Sequence, residues 1–252
     1  MNEMTFWDHA EALRKVLLQA LAVTACAIAL AFAVMPGVFD RVILAPCRPD
    51  FPLYALFDGD FHEVKLINIR LASQFFVHMS ASLWLGCLIA LPVATSLLWS
   101  FIAPALYPDE RRGARIAAFG ANIMFFAGIA TGYFLVFPLT LRFLADYQLS
   151  TLIPNQISLD SYIENFFLIL LVMGIVFELP VVTWLLGKTG LLHRGVFTDY
   201  RRHAIVALLV IAAIITPTGD PFTLLVVFTP IYILWEFSGL TVPKHRKHLI
   251  TD

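Results

Sequence analysis

Gly174-Ile175-Val176-Phe177-Glu178-Leu179-Pro180-Val181-Val182 sets a single carboxylate, Glu178, inside one of the most apolar runs of the chain. A proline follows two residues later. An ionisable side chain in such a run is costly in hydrocarbon, so its presence is a functional expectation by default. The bland alternative is a structural carboxylate hydrogen-bonded inside the bundle or simply protonated. Around this segment, 60% of the 252 residues are hydrophobic and the mean hydropathy is +0.81, which places the chain among membrane proteins.

Working outward, the apolar runs divide into six candidate spans: 16–34, 71–98, 116–144, 162–186, 203–215 and 222–237. The expectation is an all-α, polytopic protein, one six-span domain over 1–252. Residues 1–15 form a cytoplasmic amphipathic segment and residues 238–252 a cytoplasmic basic tail. The first apolar run follows a polar stretch and has no small-residue cleavage pattern behind it, so it is expected to stay in the membrane.

Orientation follows from lysine and arginine. With the N-terminus inside, the cytoplasmic side holds twelve of the seventeen basic residues, among them Arg14, Arg111, Lys188, Arg201 and Arg202. The outer side holds Arg41, Arg48, Lys65, Arg70 and Arg142. Both termini are therefore expected in the cytoplasm, and the net charge of -1 conceals a basic inner face and an acidic outer one.

Catalytic and metal chemistry find little support. His62-Glu63 lacks the second histidine of a zincin helix, and there is neither a phosphate-binding glycine loop nor a G-x-S-x-G. His245 and His248 read as part of a solvated basic tail. Cys26 and Cys87 read as small packing residues, and Cys47 stands alone on the outer side, with no disulfide evident. The chain is thus read as no enzyme, with no cofactor, no metal and no nucleic-acid partner.

The last two spans are short: 203–215 reaches about 20 Å and 222–237 about 24 Å, against a hydrocarbon core of about 30 Å. The turn between them, Thr216-Pro217-Thr218-Gly219-Asp220-Pro221, enforces a tight hairpin. Pro92, Pro138, Pro180 and Pro230 interrupt spans, each freeing a carbonyl and permitting a kink. Gly128-Ile129-Ala130-Thr131-Gly132 is a G-x-x-x-G, expected to mark close helix packing.

Between the second and third spans lies Leu98-Trp99-Ser100-Phe101-Ile102-Ala103-Pro104-Ala105-Leu106-Tyr107-Pro108-Asp109-Glu110-Arg111-Arg112. This segment resembles the W-x-F-I-x-P-A-L-Y-x-x-E-R motif of the TatC family, the polytopic core subunit of the twin-arginine protein translocase. Phe126-x-Gly128 through Tyr133-Phe134 to Pro138 and Phe143 resembles the third span of that family. Gly174-x-x-Phe177-Glu178-x-Pro180 is similar to the fourth, and Arg201-Arg202 leading to Ile215-Thr216-Pro217 to the fifth. Ile233-Leu234-Trp235-Glu236 is similar to the aromatic-Glu ending of the sixth.

The resemblance implies a receptor for the paired arginines of signal peptides on folded cargo, at the cytoplasmic face of a bacterial-type inner membrane. It also implies recruitment of single-span TatA and TatB partners for export driven by the proton-motive force, within a larger complex containing further copies of this chain. Glu110 is the implied acceptor for a guanidinium, whose rigid fork a carboxylate receives bidentately. Arg14 and Arg111 flank the implied peptide site. Thr216, Asp220 and Thr223 are the implied partner interface, and Glu178 the intramembrane polar spot for partner recruitment. It lies nine residues from Gly187 at the cytoplasmic end of its helix, about 13 Å deep.

Two positions depart from the family pattern. Where the family reads H-L-x-E-L-R, this chain reads His9-Ala10-Glu11-Ala12-Leu13-Arg14, so Glu11, the further signal-peptide contact that the resemblance implies, is displaced by one residue, about 100 degrees on a helix. Leu224 stands where many relatives carry a glutamine. A second class stays open: a proton-coupled secondary transporter with Glu178 as its titrating site.

Overall fold

The computed structural model describes residues 6–56, 62–102, 108–150, 152, 155–188, 192–216 and 219–242; at 6, 8, 9, 102 and 108–114 it describes the backbone alone. Helix α1 runs Phe6–Val38 and continues through one π-helical turn, Phe39–Ile43. Helix α2 is Ser73–Ile102 and α3 is Pro108–Thr131, which passes through a π turn, Gly132–Val136, into α4, Phe137–Asp146. Then come α5, Leu159–Val176; α6, Leu179–Lys188; the short α7, Arg194–Asp199; α8, Arg201–Ile215; and α9, Pro221–Thr241.

Proline placement explains the breaks. Pro138 lacks the N–H that residue 134 would receive, and its ring crowds that carbonyl, so the chain relaxes into the π turn just before it. Pro180 does the same to residue 176, where α5 ends; α6 restarts with Val181 and Val182 donating to the Glu178 carbonyl at 3.0 Å. Pro92 and Pro230 stay inside continuous helices. Pro36, which the sequence reading did not single out, also lies inside a helix, α1.

Among the described residues, five helical stretches are long and apolar enough to cross a bilayer: Ala10–Cys47, Ser73–Phe101, Arg115–Asp146, Leu159–Lys188 and Pro221–Thr241. Helix α8 supplies the sixth passage with only 15 residues, about 22 Å. The last two passages are the shortest, as expected. Helix α9 nonetheless continues a full turn past residue 237, so at 21 residues it reaches about 31 Å and the shortfall against the bilayer belongs to α8.

Glycines set how closely these helices approach. At Gly128 a Cβ would collide with the Met173 carbonyl oxygen and lie 2.8 Å from Gly174 Cα, and at Gly132 it would lie 3.3 Å from Met173 Cβ. The G-x-x-x-G is thus the seam between α3 and α5. Gly174 in turn lies under the Phe125 ring. On the other side, Gly86 of α2 abuts the Ile28 backbone of α1, and among the described residues α2 is the one helix on which α1 packs extensively. The core is aromatic where α4 and α5 meet: the Phe137 and Phe166 rings stand edge to face at 5.0 Å, and Phe166 and Phe167 at 5.1 Å.

One end of the bundle is closed by a cap. Leu66–Ile67 and Ile157–Ser158 pair as two-residue parallel strands, the one extended pairing among the described residues of an otherwise helical chain. Ser73 donates to the Asp160 carboxylate at 2.7 Å. Arg142, counted from sequence among the outer cations, is buried: it donates to the His62 and Arg48 carbonyls, and its guanidinium lies 4.3 Å over the Tyr54 ring. The Tyr54 hydroxyl donates to the Pro46 carbonyl at 2.7 Å. Burial pushes this phenol up to about 12, against the opposing pull of Arg142. Cys47 is buried under the same cap, whereas Cys26, expected to pack, faces outward from α1; all three cysteines are free thiols.

Filling the α3–α5 seam should be costly. Gly128→Val is expected to destabilise the protein by about 1–3 kcal/mol. Gly120→Ala, whose Cβ meets only Val181 Cγ2 at 3.9 Å, should change stability by no more than about 0.5 kcal/mol. Thermal unfolding in detergent compares the two, and equal midpoints would refute the close-approach account.

Candidate functional site

The end of the bundle opposite the cap gathers the basic residues and the start of α1. Glu11 and Lys15, one turn apart on α1, form an ion pair of 3.2 Å with side chains 65% and 71% exposed. Arg14 is also exposed, while Ala12 is half-buried. The shift by one residue therefore turns the carboxylate onto the solvated face and leaves the inward position to alanine. Glu110 and Arg111 fall in the first turn of α3, where an acid is favourably placed by the helix dipole; their side chains lie outside the described residues, as does the 103–107 connection.

At the same end, α8 begins where α9 finishes. Arg201 Nε donates to Glu236 Oε1 at 2.7 Å and to the Tyr232 hydroxyl at 3.1 Å, and that hydroxyl donates to the same carboxylate oxygen at 2.7 Å. Behind it, Phe197 of α7 packs on Trp235 at 4.6 Å and crowds Gly239. Sequence reasoning marked both Arg201-Arg202 and Trp235-Glu236, but as separate blocks. With side chains 55% and 41% exposed, the pair is screened by solvent and contributes little to stability. Its geometry shows how a carboxylate and a phenol together hold a guanidinium.

Glu178 stands at the joint between α5 and α6. Its N–H turns back to Ile175 at 3.1 Å, and its carbonyl starts α6. The side chain is half-buried, and among the described residues nothing hydrogen-bonds its carboxylate. Pro180 is buried beside it, its carbonyl accepting from Thr183 at 3.1 Å. Helix α6 packs on α9 and α3, so this joint is held from two sides while the carboxylate keeps an unused hydrogen-bonding capacity within a span.

The turn between α8 and α9 gives the three remaining sequence-predicted residues internal tasks. Thr216 is buried and donates to the Ala212 carbonyl at 2.9 Å. Gly219 takes φ +60°, a conformation that favours glycine. Asp220 caps α9 by accepting the Thr223 N–H at 2.7 Å, and Thr223 is 1% exposed. What the hairpin offers outward is instead Ile214 and Leu225, 78% and 56% exposed. Phe222 stacks on Phe143 at 4.1 Å and so joins α9 to α4. Leu224, at the glutamine position, packs partly buried against the core.

One carboxylate escaped the sequence reading. Glu164 lies one turn after Asp160 on α5, exposed beside a groove of about 650 Å³ that Ser80 and Trp84 of α2 also line. The i, i+4 spacing of the two acids was legible. Among the described residues no cluster of three metal-ligating side chains occurs; His245 and His248 lie outside them.

Comparison with known proteins places this geometry. The profile of the family described as Sec-independent protein translocase protein (TatC) matches residues 8–230. A protein of Deinococcus radiodurans named Sec-independent protein translocase protein TatC is 32% identical over 92% of this chain and 83% of its own. One of the same name from Blattabacterium sp. is 31% identical over 94% of each. A crystal structure described as that of the twin arginine translocase receptor TatC superposes with a TM-score of 0.74 at 31% identity, covering 92% of this chain and 97% of that one.

The capping role of Asp220 is directly testable. Asp220→Ala should cost about 0.5–2 kcal/mol of stability, while Asp220→Asn, which keeps an acceptor oxygen, should retain most of it. Thermal unfolding in detergent decides, and indistinguishable variants would remove the cap from the account.

Proposed function

The chain belongs to the TatC family of Sec-independent protein translocase proteins, and we propose that it is the component that receives twin-arginine signal peptides. The observation that carries this reading is the likeness over nearly the whole chain to a solved twin arginine translocase receptor. The charge asymmetry, twelve cations against five, supports both termini in the cytoplasm of a bacterial-type inner membrane. The receptor surface is then the end of the bundle where α1 begins and α3 starts.

In this reading Glu110 accepts the signal peptide's guanidinium, and Arg14 and Arg111 frame the site. Glu11, already paired with Lys15, contributes little. Arginine is required because lysine cannot reproduce the two-pronged contact. Folded cargo held there is exported under the proton-motive force after single-span TatA and TatB partners assemble, in a complex with further copies of this chain. Partners gather along the outward face of the α8–α9 hairpin, whose shape Thr216, Asp220 and Thr223 maintain, beside the thinned bilayer that a 15-residue α8 favours. No catalytic chemistry enters this function.

Binding tests the receptor reading. Glu110→Ala and Glu110→Gln should each weaken a twin-arginine peptide by about 1.5–3 kcal/mol, with Glu110→Asp retaining part of the affinity. Glu11→Ala should be silent, and Ala12→Glu neutral or strengthening. Titration of purified protein with Arg-Arg and Lys-Lys peptides measures all five; unchanged affinity for the neutral Glu110 variants refutes the assignment.

Glu178 separates recruitment from proton transport. Its half-buried carboxylate at a helix joint, with nothing bonded to it among the described residues, suits a hydrogen bond to a polar group on an incoming partner span. The same position would suit a titrating site in a proton-coupled transporter. Glu178→Gln should preserve most partner crosslinking and export, and Glu178→Ala should reduce both, with peptide binding spared in each. If Gln is as inactive as Ala, ionisation is needed and recruitment by hydrogen bonding fails.

A further inference from the structure

Pro36 has no N–H, so the carbonyl of Phe32 in α1 loses its helical donor. His78 of α2 takes its place. Its Nε2 lies 3.1 Å from the Phe32 carbonyl, and the imidazole stacks on the Phe32 ring with centroids 4.2 Å apart and planes 17° from parallel. A carbonyl can only accept, so Nε2 carries the hydrogen, and in the neutral ring Nδ1 is left as an acceptor. Pro36 of α1 thereby fixes the tautomer of a residue on another helix.

His78 lines a cavity of about 350 Å³ at the cap end, together with Pro36, Phe39, Asp40, Gln74 and Leu159. Its polar walls are rich in acceptors: the Asp40 carboxylate, the Gln74 amide oxygen and His78 Nδ1. No ion pair engages Asp40 among the described residues. Immediately beside it, the guanidinium of the exposed Arg48 donates to the Asp40 backbone carbonyl at 2.8 Å. Three acceptor-bearing residues lining one cavity, next to a guanidinium, complement a small zwitterion, an ammonium with a phosphate one ethyl link away.

Access decides the source. Gln74, in the cavity lining near the start of α2, is followed by Phe75 and Phe76, which are 61% and 63% exposed. Helix α1 flanks it and is itself scarcely covered by protein, with 6% of its most apolar window buried. Acyl chains can therefore lie along these faces while a headgroup enters the cavity from the side. We propose that the α1–α2 cavity around Asp40, Gln74 and His78 binds the primary-ammonium headgroup of an aminophospholipid, with Arg48 receiving its phosphate. Three N–H donors of a primary ammonium can meet three acceptors, whereas a trimethylammonium has no N–H and cannot.

The experiment uses the full-length protein, delipidated in detergent, with phosphatidylethanolamine, phosphatidylcholine or phosphatidylglycerol added back and bound lipid counted by native mass spectrometry. Wild type should retain phosphatidylethanolamine about tenfold better than phosphatidylcholine, the scale of hydrogen bonds to a charged group. Phosphatidylglycerol should bind no better than phosphatidylcholine. Asp40→Asn and Gln74→Leu, both at exposed positions, should each erase most of this preference while gel filtration and circular dichroism stay unchanged; Asp50→Asn should not. Equal retention of the two zwitterionic lipids, or a preference that survives both cavity variants, overturns the proposal. So does displacement by free ethanolamine or by a lysine-bearing single-span peptide at equal concentration, which would assign the cavity to a soluble amine or a protein helix.

Discussion

A backbone carbonyl without a hydrogen bond in hydrocarbon costs several kcal/mol, and nothing in a lipid tail can supply the donor. This constraint organises the whole chain, because Pro36, Pro92, Pro138, Pro180 and Pro230 lie within its spans. Each frees a carbonyl four residues earlier, and the chain must accommodate every one internally. Near Pro138 it relaxes into a π turn; at Pro180 it ends one helix and starts another on the Glu178 carbonyl; at Pro36 it borrows the imidazole of His78 from a neighbouring helix. The breaks at Pro138 and Pro180 and the placing of His78 therefore have one cause.

Close approach supplies the second level of order. The bilayer offers no hydrophobic drive for helices to associate, so contact must come from packing. Gly128 and Gly132 let α3 lie directly on the Met173 backbone of α5, and Gly86 lets α2 lie on α1. The aromatic stack of Phe137, Phe166 and Phe167 then fills the wider gap toward the cap. A firm interior of this kind leaves α8 and the first half of α1 as the lightly supported parts, and these flank the surfaces proposed for peptide and partners.

The two ends of the molecule differ in chemistry. At the cap, a buried arginine satisfies loop carbonyls and lies over a tyrosine, so its charge serves the fold. At the opposite end, cations and carboxylates remain exposed, as in the Glu11–Lys15 and Arg201–Glu236 pairs. Exposed pairs are weak and exchangeable, which suits the proposal that this end accepts a foreign guanidinium.

The fold was largely legible from residues in order: hydropathy gave the spans, prolines gave the breaks, and Gly128-x-x-x-Gly132 marked the seam later found between α3 and α5. These are properties of local segments, governed by backbone hydrogen bonding and length. The extra turn of α9 past residue 237 was missed because its polar residues are carried by a helix already held on α6 and α8. Side-chain partnerships were beyond reach. That Arg201 meets Glu236, that Arg142 turns inward, that Thr223 is buried while Leu225 is not, and that His78 completes α1 all depend on contacts between residues 31 to 94 positions apart or on which face of a helix meets its neighbour. Sequence fixed which groups needed partners, because an unpaired polar atom in hydrocarbon is costly wherever it lies; only the packed helices decided which partners they found.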